Sequence, residues 1–263
     1  ITQTIGGTGR VVFASSNAQI YSNYGTNTLV IGSGVTVTGT TNGSFGLYGN
    51  LRNEGTIRSE LGGTTITVNK YNSAGTGAVN VGLIEAVAGS VTLTGGPWSN
   101  RDGALNGTIR ANGGTVNLNG AFSTATLGNL QSPAGVVQIG SGGSLDNAGQ
   151  TLALGSGLTT ASLRLGGGAI SGGTISAANG ATLTQLASGS SYLSGVTLAT
   201  DFTVPAGAVL RVDSGDLTLS GANRTLTLIG DLYTFGQTIT QTIGGTGRVV
   251  FASSNAQIYS NYG

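Results

Sequence analysis

The chain has 263 residues, of which only 10 are Lys or Arg and 9 Asp or Glu, giving a net charge of +1; 49 are glycine, and His, Cys and Met are absent. Without histidine and cysteine the commonest general base, the commonest metal ligand, thiolate chemistry and disulfides all drop out. The near-neutral charge argues against a nucleic-acid partner, and no run reaches the ~18 apolar residues of a transmembrane helix. Most enzyme classes are therefore disfavoured, and no cofactor or metal is expected. Lacking an initiator Met, the chain reads as a processed segment or an excerpt of something longer.

High glycine and low charge also describe disorder, but 38% of residues are hydrophobic and only three are proline (Pro97, Pro133, Pro205). Short alternating runs of Thr, Val, Ile and Leu between glycines are the pattern of strands joined by tight turns.

In chain order, the first feature is a repeat. Residues 1–25, ITQTIGGTGRVVFASSNAQIYSNYG, return unchanged at 239–263, an offset of 238. The expected organisation is one complete unit, 1–238, followed by the first 25 residues of the next. Residues 1–238 carry nine basic and nine acidic side chains, so joined copies accumulate no self-repulsion.

A shorter period lies within the unit. Gly55-Thr-Ile57-Arg-Ser59, Gly82-Leu-Ile84-Glu-Ala86, Gly107-Thr-Ile109-Arg-Ala111 and Gly173-Thr-Ile175-Ser-Ala177 share one frame. After them come glycine turns (Gly62-Gly63, Gly89, Gly113-Gly114, Gly180), and then second alternating runs such as Thr65–Val68, Val91–Leu93 and Val116–Leu118. A sub-period of 20–27 residues matches one coil of a β-solenoid. The expected fold is an all-β parallel β-helix of 10–12 coils, right-handed because parallel crossovers prefer that hand.

Period-2 geometry points Ile57, Ile84, Ile109 and Ile175 inward, with Ser59, Ala86, Ala111 and Ala177. Between them, Arg58, Glu85 and Arg110 face out with alternating sign, as exposed pairs worth ~0–1 kcal/mol. Tyr24, Tyr48, Tyr71, Trp98 and Phe122 recur at spacings of 24, 23, 27 and 24. They are expected to form an aromatic ladder at a corner or core edge, with packing favoured over sugar stacking.

Candidate chemistry is sparse. Arg211, Asp213 and Asp216 in VLRVDSGDLTL offer two carboxylates for acid and base roles, the basis of an alternative reading as a carbohydrate-binding or carbohydrate-active β-helix; a solvated turn is the plainer account. The Thr-x-Thr pairs Thr36/Thr38, Thr65/Thr67, Thr92/Thr94 and Thr225/Thr227 raise an ice-binding reading, which Asn117 and Asn119 interrupt. The calcium nonapeptide of RTX repeats does not occur, and Gly6–Gly9 lacks the lysine of a phosphate loop.

The segments NEGTIRSELGGTTITVN (53–69), NGTIRANGGTVNLNG (106–120) and SGGTISAANGATLTQL (171–186) resemble the repeats of large bacterial surface β-helix proteins, the filamentous-haemagglutinin-like adhesins and autotransporter passenger regions. The resemblance implies secretion, display on a bacterial cell surface and a non-catalytic role as a rigid extracellular rod in adhesion, biofilm, sheath or filament. Its implied partners are neighbouring copies of the repeat, in tandem or by filament assembly, and surface glycans.

Overall fold

The computed structural model describes residues 1–23, 25–71, 77–235 and 240–261, with Phe235 and Asn261 by backbone alone. The chain is an all-β parallel solenoid of about 10 turns with almost no helix. It divides into two compact units, Ile1–Gln138 and Ile139–Gly263.

In the first unit each coil lends one short strand to each of three parallel ladders. One ladder runs through Thr2–Ile5, Thr28–Ile31, Asn50–Asn53, Ala78–Asn80 and Trp98–Ser99. A second takes Gly9–Phe13, Val35–Gly39, Thr56–Ser59, Leu83–Ala86, Thr108–Ala111 and Asn129–Gln131. The third takes Ala18–Ser22, Gly43–Leu47, Thr65–Lys70, Ser90–Gly95 and Thr115–Ser123.

The register explains why the sequence repeats as it does. Ile57 pairs with Ile84 and Ile84 with Ile109, so identical side chains stack into one buried column between Val37 and Leu130. Phe45, Val68, Leu93 and Leu118 form the facing column of the third ladder. A single coil leaves such side chains bare; a neighbour one strand spacing away, about 4.8 Å, covers them. Ser59, Ala86 and Ala111 are buried beside the isoleucines. Their small size leaves room for the corner, where Gly63 and Gly113 adopt φ of 78° and 109°, a region closed to β-branched residues.

In the second unit one ladder comprises Thr151–Leu154, Thr174–Ala177, Val196–Ala199, Leu217–Leu219 and Ile243–Gly245. Another comprises Ser144–Asp146, Ala169–Ser171, Gly189–Ser194, Ala208–Asp213, Asp231–Phe235 and Ile258–Asn261. Phe202–Val204, Thr225–Leu228 and Arg248–Phe251 make a third, and Leu163–Gly166 pairs with Leu183–Gln185. Ile175 is buried here, but its strand neighbours are Leu152 and Leu198. It therefore belongs to a separate ladder and not to the isoleucine column. Ala177 beside it is only half-buried.

One excursion breaks the coil pattern. Arg101–Asp102 and Leu105–Asn106 pair antiparallel as a hairpin closed by Gly103 at φ 60°. Insertions of this kind add to a coil's length without disturbing the ladders on either side.

Candidate functional site

The outward charges between the isoleucines and the small residues lie side by side, Arg58 opposite Glu85 and Glu85 opposite Arg110. Arg58 Nη2 is 2.8 Å from Glu85 Oε2, and Arg110 Nε donates to Glu85 Oε1 at 2.7 Å. Contrary to the expectation of exposed pairs, Glu85 is only 1% exposed. Its carboxylate lies between the guanidinium groups of the two adjacent coils. Asn112 Nδ2 also donates to Oε1, at 3.3 Å. The line continues through Glu60, paired with both Arg58 and Arg10; its hydrogen bond from Arg10 holds the Glu60 carboxyl below the usual carboxylate range.

A second ladder escaped the sequence reading. Asn53, Asn80 and Asn100 are buried at one corner of successive coils. Asn53 Nδ2 donates to Asn80 Oδ1 at 2.6 Å, and Asn80 Nδ2 to Asn100 Oδ1 at 2.5 Å. Asn100 Nδ2 completes the run on the carbonyls of Leu127 and Gly107, at 2.8 and 3.1 Å. An amide is the side chain that can accept from one coil and donate to the next, satisfying carbonyls the corner would otherwise strand. The available signal was Asn-x-Gly two residues before the inward isoleucine, at Asn53-Glu-Gly55 and Asn80-Val-Gly82. The hairpin after Asn100 hides the third instance.

The aromatic series splits. Trp98 and Phe122 are buried and stacked at 6.1 Å, as packing predicts. Tyr48 and Tyr71 stack at 4.9 Å, but on the surface, 45% and 47% exposed. The difference is the hydroxyl, which keeps one edge of each tyrosine in water while the ring faces cover one another. Tyr24 lies outside the described residues.

The two candidate carboxylates stand in different surroundings. Arg211 and Asp213 do point out of one strand, and Arg211 sits 5.6 Å over the Tyr192 ring. Asp216 is engaged elsewhere: its Oδ1 accepts the Thr242 backbone N–H of the following coil at 2.7 Å. This is a recurring device. Asn42, Asp201 and Asp231 accept in the same way from Thr65, Thr225 and Gln257, at 2.8, 2.8 and 3.1 Å. Each corner side chain thus caps a backbone donor one coil further on.

Of the nine carboxylates, Glu54, Glu60, Glu85 and Asp102 pair with arginines, while Asp146, Asp201, Asp216 and Asp231 accept backbone N–H groups. Asp213 differs: among the described residues its Oδ1 is buried and has no hydrogen-bond partner. Burial raises its carboxyl above the ordinary range, against the opposing pull of Arg211.

Of the threonines in the Thr-x-Thr pairs, Thr67 and Thr92 share a column with Asn117, in which Asn117 Nδ2 donates to Thr92 Oγ1 at 3.1 Å and Gln138 Nε2 to Asn117 Oδ1 at 2.6 Å. Thr38 is buried, not outward.

Among the recesses of the surface, one of about 660 Å3 is lined by Ile1, Gln3, Tyr21, Asn27 and Leu29. Another, about 200 Å3, is shallow and polar, between Asn17, Asn42 and Thr67. Neither is lined by a carboxylate. Among the described residues no cluster of acidic side chains could hold a metal ion. The fold and these ladders define the chain as a β-solenoid repeat protein. No known protein family, curated protein or solved structure shows significant similarity to it.

Proposed function

We propose that the chain is a structural repeat of a long secreted bacterial surface fibre or adhesin stalk, acting as a rigid extracellular spacer with no catalytic role. The observation that carries this reading is the seating of the second copy. Its described part adds one in-register strand to each of three ladders of the second unit: Ile243–Gly245 on Leu217–Leu219, Arg248–Phe251 on Thr225–Leu228, and Ile258–Asn261 on Asp231–Phe235. Residues 243–261 thus add a further coil to the second unit, which supports reading the next repeat as a continuation of the solenoid. Stiffness follows from main-chain hydrogen bonds that continue across the junction. The commitment of eight of nine carboxylates to ladders and corners supports a scaffold over an enzyme.

Negative-stain microscopy of chains built with one, two and three copies of residues 1–238 tests the reading. The expected particles keep one width and lengthen by a constant step per copy. Globules, or particles jointed between copies, would overturn it.

A further inference from the structure

The two identical 25-residue segments occupy opposite positions in their coils. The first copy is covered by the coil C-terminal to it: Gly9–Phe13 pairs with Val35–Gly39, and Ala18–Ser22 with Gly43–Leu47. The second copy is covered by the coil N-terminal to it, at Thr225–Leu228 and Asp231–Phe235. Each bares the side that the other has buried.

Two pairs of counterpart side chains record this. Phe13 is 3% exposed, edge-on to Phe45 at 5.9 Å and pressed against Gly43, where a Cβ would lie 2.1 Å from the ring. Its counterpart Phe251 rests on Leu228 and is 55% exposed. Tyr21 covers Gly46 on one side, whereas its counterpart Tyr259 stacks on Tyr233 at 4.7 Å on the other.

We propose that residues 240–261 of one chain can replace residues 2–23 of another, docking on the coil Thr28–Leu47 and joining chains head to tail by segment exchange. The surface therefore has a defined partner, a second copy of this chain. This deepens the repeat reading and rests on it. The incoming segment is identical in sequence to the one it displaces, so every contact with Val35–Gly39 and Gly43–Leu47 is remade. The exchange adds contacts as well: Phe251 gains the Gly43–Phe45 seat while keeping Leu228, and Tyr259 gains Gly46 while keeping Tyr233. Against it stands tethering. The resident copy is held beside its seat at a high effective concentration, which keeps the parent chain monomeric at micromolar concentration.

Because the two segments share one sequence, the same substitution in each gives opposite outcomes. Phe13→Asp weakens only the resident copy and leaves the donor intact. Phe251→Asp spoils only the donor, at a position already exposed in its own unit. Light scattering behind size exclusion at matched concentration reads the result. Phe13→Asp is expected at two or more times the 25.8 kDa of the chain, while Phe251→Asp and the double variant stay at one. Phe13→Ala and Phe251→Ala run alongside in case the aspartate unfolds the whole chain, which circular dichroism reports. Association of both single variants, or of neither, overturns the exchange. Microscopy of covalently joined copies is independent of that result, so the two readings fail separately.

Discussion

At the residue scale, position along a strand decides what a side chain is worth. Ile109 sits in a dry column between Ile84 and Leu130, while its neighbour Thr108 points outward. Burying an unpaired carboxylate costs several kcal/mol, and placing one at a wetted position costs little. Ile109→Asp is therefore expected to lower the melting temperature far more than Thr108→Asp. Equal melting temperatures would reverse the assigned faces.

Asp213 gives a second test at this scale. Its carboxyl is raised by burial above the ordinary value of 3.8, so folding favours the protonated form. Stability from this group is greatest at pH below that ordinary value and falls as pH climbs through the raised folded one. Asp213→Asn, which is neutral throughout, is expected to melt above the parent at pH 7 and level with it at pH 3. A gap that persists at pH 3 would show that charge at this position is not the cause.

At the scale of the element, the ladders hold the coils in register. Hydrophobic columns favour stacking but tolerate sliding, because one aliphatic side chain packs on another at many offsets. Hydrogen-bonded columns do not. Asn80 is held from both sides, by Asn53 and by Asn100. Asn80→Ala strands a buried donor on one neighbour and a buried acceptor on the other, at about 1–3 kcal/mol each. The expected result is a clear loss in denaturant midpoint. The same substitution at Asn179, an exposed turn residue whose amide reaches only the Gly155 carbonyl, is expected to cost much less. Similar losses at both positions would assign the corner amides no special part.

At the scale of the whole molecule, the repeat length and the coil rise set the axial step. The 263-residue chain makes about 10 turns. At about 4.8 Å per turn, the proposed rod is expected to lengthen by about 40–50 Å per copy in the microscopy of joined copies. Balanced charge lets the array grow without electrostatic cost. The exchange proposal belongs to this scale too, since it rests on one segment being compatible with neighbours on both sides.

Much of this was legible in the residues themselves. The alternation of Thr with Val, Ile and Leu, the glycine corners and the two nested periods are consequences of local geometry, so they specify strands, turns and stacking. They also give the pairing of Ile57 with Ile84 and Ile109, because identical motifs at coil spacing stack in register. Other features depend on contacts between residues 20–30 apart, which a motif marks at most in part. The amide ladder, the backbone capping by Asp201, Asp216 and Asp231, and the burial of Glu85 between two arginines are of this kind. So are the division of the aromatics into a buried pair and a surface pair, and the placing of Ile175 beside Leu152 and Leu198. A side chain's spacing says which way it points; only the neighbouring coil decides what it meets there.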